Sequence, residues 1–457
     1  MDMALVLLLI LVITEIGFAA FECTDPEMKK SWTLKRLAVN AGEIVIFLLM
    51  LLLPGIDLSF RFKGLVILLL ARILVSAVFW LANRKNEKRK KRAAIVWGAI
   101  LSILLITGSM FPSFLIADYH GRAVTGEYTP AECEAILIDT DREESFEHDG
   151  SYREVPMHFY YPENAADLPE HSLPLVIFSH GAFGYYQSNA STFLELASHG
   201  YVVISLDHPY HSFFTKDSDG KTITVDMGFF QSAMKIGGND DMPEAEAYDM
   251  TSKWMALRES DMNVVIDQVK AAGEAGEVPD TWHCDGDAAD RVLSVLNAID
   301  YNKIGLMGHS LGGATAVTVG RRDDISAAVD LDGTMLGEET GVKDGVIRTN
   351  ELPYDKPLLS IDSESHHQSM VEAEEAGYVY VNNVILGNAV NGYETYFKGA
   401  AHMNFTDLPL FSPPLAKLLG TGDVDAGECI DQVNSLVLGF FDSFLKDAGE
   451  FSVKESY

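Results

Sequence analysis

Lys303-Ile-Gly-Leu-Met-Gly-His-Ser-Leu-Gly-Gly-Ala-Thr-Ala-Val-Thr-Val319 is the stretch on which the fold turns. Its first part, Ile304 to Met307, is a short apolar run of the kind that forms a buried parallel strand. A sharp turn comes next, through Gly308-His309-Ser310-Leu311-Gly312, and small and apolar residues at helical spacing run from Ala314 to Val319. Strand, G-x-S-x-G turn, helix is the layout of a nucleophile elbow, where the residues beside the serine must carry almost no side chain. Gly308 and Gly312 meet that need, and Gly313 lets the helix lie close to the sheet. Ser310 then stands at a helix N-terminus, where free N–H groups and the dipole favour a developing anion.

Outward from this stretch, residues 118–457 alternate strands and helices without repeats or low-complexity linkers. Glu134 to Asp139 and Pro156 to Tyr161 read as two edge strands. Leu175 to Ser179, Tyr201 to Leu206, Ser326 to Leu331, Leu358 to Ile361 and Thr395 to Lys398 read as further strands. Thr192 to Ser198, Met250 to Ala271, Asp287 to Ala298 and Asp431 to Lys446 read as helices. Residues 210–247 are aromatic, acidic and irregular, and predict a loop or lid. Such alternation gives a mostly parallel sheet covered on both faces, with ligands at the carboxyl ends of its strands.

The remaining part, residues 1–117, is apolar in long runs: Ala4 to Phe21, Ile44 to Leu58, Leu65 to Ala82 and Ala93 to Ala117. About four transmembrane helices are expected, the second being short and carrying Pro54 and Gly55. Met1-Asp2-Met3 has no positive n-region, so the first segment reads as a retained span rather than a cleaved signal peptide. Seven Lys or Arg lie in Asn83 to Arg92 and four in the loop 22–40, against two near Arg61 and Lys63. The positive-inside rule places the two basic loops in the cytoplasm, and residues 118–457 outside the membrane. Glu15, Glu43 and Arg72 are ionisable groups at membrane depth.

Residues 118–457 hold 20 basic and 58 acidic residues, a formal charge of −38. Such a surface repels nucleic acid. The four cysteines, Cys23, Cys133, Cys284 and Cys429, form no C-x-x-C pair, so neither zinc nor redox chemistry is suggested; one disulfide is compatible with their number. His366 and His367 are adjacent and would point apart on an extended chain, so no metal site is expected.

A weak serine hydroxyl needs a base, and His402, in the loop after the last strand, is the candidate. Two acids lie at strand ends, Asp332 and Asp362, and either could orient the imidazole. Asp330 would face away from Asp332 on the strand. Leu311, just after the serine, offers one backbone donor to an oxyanion. His180 would brace the loop after Ser179. His208 and His211 could line the pocket, as could some of Phe183, Tyr185, Tyr186, Phe213, Phe214, Phe229 and Phe230.

With these residues in place, the chain resembles the α/β-hydrolases. More narrowly, it resembles the plasma and type II platelet-activating-factor acetylhydrolases and related bacterial polyester hydrolases and lipases. The likeness rests on Tyr160-Tyr-Pro162, Phe178-Ser-His-Gly-Ala-Phe-Gly184, Ala197-Ser-His-Gly-Tyr201, Gly308-His-Ser-Leu-Gly-Gly-Ala-Thr315, Leu331-Asp-Gly-Thr-Met335 and Lys398-Gly-Ala-Ala-His-Met-Asn-Phe-Thr-Asp407. It spans roughly residues 130–445 and none of 1–117. It implies an α/β-hydrolase fold in 118–457, Asp332 as the acid with Asp362 as the alternative, and Ala182 as the second oxyanion donor. The implied activity is cleavage of carboxylic esters without a cofactor, the acyl group being short or modified and borne by a small molecule or a phospholipid. A membrane acyltransferase using the same acyl-enzyme and a non-enzymatic membrane sensor are the alternatives. The expected location is the cell membrane, multi-pass, with the hydrolase domain extracytoplasmic.

Overall fold

A computed structural model describes residues 3–24, 32–85, 90–119, 121–237 and 242–457. Two compact units emerge: Met1–His120 with Leu410–Leu415, and Gly121–Pro409 with Ala416–Tyr457.

The first unit is a helical bundle: α1 (Met3–Thr24), α2 (Trp32–Met50), α3 (Phe60–Asn83) and α4 (Arg92–Ser109). Among the described residues, three of these, α1, α3 and α4, are long and apolar enough to cross a membrane. The expectation of four is corrected at the second segment. The apolar run Ile44 to Leu58 is not one helix, because the chain turns at Leu51 to Gly55, where Pro54 breaks it. The helix lies further back, and carries Lys35, Arg36 and Glu43. Parts of the two basic loops, residues 25–31 and 86–89, lie outside the described residues. Glu15 and Glu43 are fully buried. Glu15 accepts two bonds of 2.7 Å from Arg36 and a further one from Arg72. Arg72 also lies 2.9 Å from Glu43. Ionisable groups in apolar surroundings must pair in this way.

The second unit is built on a nine-stranded sheet. Its strands in chain order are β1 (Pro130–Glu143), β2 (Tyr152–Pro162), β3 (Leu173–Ser179), β4 (Val202–Leu206), β5 (Trp282–His283), β6 (Ile299–His309), β7 (Ala327–Leu331), β8 (Tyr354–Ser363) and β9 (Ala389–Phe397). Their spatial order is β9-β8-β7-β6-β3-β4-β2-β1-β5. The run from β9 to β4 is parallel; β2 joins it antiparallel. Every residue of β3, β4 and β7 is buried, as strands covered on both faces require. The two strands expected at an edge are not edges: β2 sits inside the sheet and β5 covers β1.

Helices α5 (Ala190–Ser198), α6 (Met227–Gly237), α7 (Glu244–Ala275), α8 (Ala288–Ala298), α9 (Leu311–Val319), α10 (Glu364–Glu375), α11 (Val381–Asn388) and α12 (Ala426–Leu445) complete the principal elements. The unit's two largest apolar cores contain β1, β3 and α7 residues in one and α5 and α12 residues in the other. The region expected as a loop or lid contains a hairpin, Phe214–Lys216 with Thr222–Thr224, and α6; its residues 238–241 lie outside the described residues.

Candidate active site

Strand β6 ends at His309 and α9 begins at Leu311, so Ser310 alone makes the turn, at φ 55° and ψ −124°. A non-glycine residue there carries backbone strain of about 1–3 kcal/mol. The turn is held by Ser310 N–H, which donates to Leu331 O at 2.9 Å. The flanking glycines are explained by contact: a Cβ on Gly308 would strike the backbone of Gly312, and one on Gly312 the carbonyl of Ser179.

Asp332 comes directly after β7 and also has positive φ, 54°. Its Oδ1 accepts from Ser363 N–H at 2.5 Å, and its Oδ2 lies 2.7 Å from His402 Nδ1. Since a carboxylate can only accept, His402 carries its proton on Nδ1 here and leaves Nε2 free of it. His402 opens a short 3₁₀ turn after β9, pinned by Asn404 Oδ1, which accepts from Ala401 N–H at 2.9 Å and Gly422 N–H at 2.8 Å. Burial alone would raise the Asp332 carboxyl. Hydrogen bonds from His366 and His402 outweigh it and hold the group far below the usual carboxylate range.

Ser310, Asp332 and His402 line one pocket of about 410 Å³, together with Ala182, Leu311 and Trp254. Of the residues expected at the site, Ser310, Asp332, His402, Leu311 and Ala182 line this pocket and Asp362 does not. Asp362 is fully buried, with Oδ2 accepting from Ser360 Oγ at 3.0 Å and Oδ1 lying 3.1 Å from His366 Nδ1. His208 and His211 are buried away from this pocket. His208 bonds Asp261 at 2.9 Å and Ser179 at 2.8 Å, and His211 stacks on Phe229 at 3.8 Å. Phe229 packs with Ala182, Phe183, Trp254 and Leu311, while Phe213 and Phe214 are exposed. All four cysteines are free thiols.

Three features lie beyond what the sequence discloses. The first is Arg258 on α7, fully buried, whose guanidinium donates to the carbonyl oxygens of His180 and Gly181. The Gly181 carbonyl and the Ala182 N–H belong to one planar peptide, so fixing the oxygen aims the N–H the opposite way. Burial draws Arg258 down to about 9. The second is Asp261, which pairs with Arg153 at 2.7 Å beneath the same loop. The third is His366, expected to point away from His367 on an extended chain and to form no metal site. Both histidines lie instead in the first turn of α10, and the donor atoms of Asp332, Asp362 and His366 fall within 4.8 Å of one another, near enough to hold a metal ion.

A mostly parallel sheet with helices around it and a strained serine between β6 and α9 defines an α/β-hydrolase. Within that class, the chain belongs to the family described as platelet-activating factor acetylhydrolase, isoform II, whose model matches residues 156–456. Platelet-activating factor acetylhydrolase of Gallus gallus is 23% identical over 311 residues, covering 64% of this chain and 67% of that protein. The Cavia porcellus enzyme is 25% identical over 290 residues, covering 60% of this chain and 57% of its own. The match to the Bos taurus enzyme, 23% identical, likewise spans 57% of that relative's length. In fold the chain is similar to a ferulic acid esterase from Streptomyces cinnamoneus, at a TM-score of 0.50 and 19% identity, over 73% of this chain and 95% of that one.

Proposed function

We propose that this chain is a membrane-anchored serine hydrolase that cleaves carboxylic esters through Ser310, His402 and Asp332. The observation that carries the reading is the 2.7 Å His402–Asp332 pair lining one pocket with the strained Ser310. His402 Nε2 takes the Ser310 proton as Oγ attacks the ester carbonyl. Asp332 keeps the proton on Nδ1 and offsets the imidazolium charge. The N–H groups of Leu311 and Ala182 receive the oxyanion. The alcohol leaves with the proton from His402. Water, deprotonated by the same Nε2, then releases the acid and restores Ser310.

The names of the relatives support a phospholipid with a short or modified acyl group as substrate. An apolar N-terminal bundle with three helices able to cross a membrane supports anchoring beside that lipid. The basic run from Arg84 to Arg92 directly precedes α4, and the positive-inside rule puts the chain after α4 on the extracytoplasmic side. This holds whether or not α2 spans.

The test is turnover by the purified full chain, in detergent, of esters varied in acyl length and headgroup. Turnover of short-acyl glycerophospholipid that vanishes in Ser310→Ala is expected. A folded chain that hydrolyses none of them overturns the reading.

A further inference from the structure

In the wall of the pocket, two buried carboxylates share one imidazole. His366 Nδ1 lies 3.3 Å from Asp332 Oδ1 and 3.1 Å from Asp362 Oδ1, and its Nε2 lies 3.1 Å from Tyr380 Oη. The Asp332 side chain is 3% exposed and that of Asp362 is fully buried. Two anions this close in a low-dielectric interior cannot both stay ionised unless a cation lies between them.

We propose that His366 is a positioning residue for the Ser310–His402–Asp332 set: a cationic bridge that keeps Asp332 an acceptor and turns its Oδ2 toward His402. The inference rests on the function proposed above.

The local fold explains why the bridge forms. Ser363 caps α10, its side chain accepting from His366 N–H at 3.2 Å, and its own N–H donates to Asp332 Oδ1. One turn of chain therefore delivers both a backbone donor and the His366 ring to the same oxygen. Oδ1 is saturated from that side, and Oδ2 is left for His402. The groups facing His366 are Asp332 at the end of β7, Asp362 on β8 and Tyr380 before α11, with His402 beyond Asp332. Asp330 on β7 is also buried, and its oxygens find no partner among the described residues. Burial, then the neighbouring Asp362, drives the Asp330 carboxyl well above the usual carboxylate range. Burial would lower the His366 imidazole, but the Asp332 and Asp362 carboxylates beside it outweigh that and raise it to about 12.

Without the cation, Asp332 and Asp362 must share a proton over part of the pH range. A proton on Asp332 removes the acceptor that His402 needs, so the acidic limb of activity moves to higher pH. Taking away the second anion should reverse this.

The experiment compares kcat, KM and the pH profile of the full chain with those of His366→Asn, Asp362→Asn and the double variant, beside fluorophosphonate labelling of Ser310. His366→Asn should lower kcat at pH 7 about tenfold or more, leave KM within about twofold, and raise the acidic limb by about one pH unit. Adding Asp362→Asn should recover most of the loss. A double variant no better than His366→Asn, or an acidic limb that does not move, overturns the proposal. Should His366→Asn fail to fold, Asp362→Asn carries the test alone: its acidic limb should move to lower pH, and an unmoved limb overturns the proposal. Activity lost to a chelator and regained with a divalent cation would also overturn it, because the same three groups would then be ligands. If the wild type neither labels nor turns over, the hydrolase reading itself has failed. If it does both and His366→Asn matches it at every pH, only the bridge has failed.

Discussion

Asp332 Oδ2 lies 2.7 Å from His402 Nδ1, though 70 residues of chain separate them. Asp332 ends β7 and His402 comes after β9, with β8 between the two strands. The chain after β9 must therefore arch back over β8 for the histidine to reach the acid. Asp362, at the end of β8 itself, is turned away toward Ser360 and His366. The two candidate acids are thus separated by geometry. Asp332→Asn should lower kcat by about 10⁴-fold, because the amide can donate and stabilises the wrong tautomer of His402. Asp362→Asn should cost far less. Steady-state hydrolysis of one ester by both variants checks this, and the reverse order would make Asp362 the acid.

Arg258 should matter for rate as well as stability. Arg258→Met strips the charged donor from the carbonyls of His180 and Gly181. The His180 carbonyl loses its charged donor, a cost of about 1–3 kcal/mol, while the Gly181 carbonyl keeps the Gly184 N–H at 3.1 Å. The Ala182 N–H loses its aim, so kcat should fall about 10- to 100-fold with little change in KM. Arg258→Lys should recover part of the stability. Melting temperature and kcat measured together check it; a destabilised variant with full kcat would separate Arg258 from the oxyanion site.

The pH dependence of stability should carry the mark of a buried neutral histidine. Burial, then the neighbouring His402, lowers His309 to about 3. In the unfolded chain the same ring takes a proton near pH 6.5. A base with a depressed folded value costs nothing above pH 6.5. Below it, stability is lost by about 1.4 kcal/mol per pH unit, down to the folded value. His309→Gln removes this penalty and leaves the other groups in place. The stability advantage of wild type over the variant should therefore shrink by about 1.5 kcal/mol between pH 6.5 and 5. Thermal melting of both proteins across that range reads it out, and a constant gap would contradict it.

The bundle should behave as an integral membrane element. After alkaline carbonate washing of membranes, the full chain should stay in the pellet, held by α1, α3 and α4. Recovery of the full chain in the wash would contradict anchoring.

The elbow is legible in the sequence because it is local: Gly308, Ser310 and Gly312 sit within five residues, Gly308 being demanded by contact with Gly312 inside the turn and Gly312 by the Ser179 carbonyl on β3. Strand and helix periodicity carries the α/β pattern for the same reason. The features that escape are set by tertiary neighbours. Arg258 and Asp261 lie in the Met250 to Ala271 stretch, where helical periodicity alone does not mark them as buried. Only the packing of α7 under the His180–Gly181 loop buries them. His366 gains its partners from the cap on α10, which brings Asp362 and the end of β7 to one ring. The second expected span fails because the apolar run crosses Pro54, while the charges of α2 hide the helix that precedes it. Those charges are tolerated because Arg36 and Glu43 pair with Glu15 and Arg72 on other helices.

The most direct test of the central claim is a fluorophosphonate adduct on the full chain, located by peptide mass mapping. The account predicts one adduct, on Ser310, formed promptly in wild type, slowly in Asp332→Asn and not at all in Ser310→Ala. A folded wild-type chain that stays unmodified, or an adduct on any other residue, would contradict it.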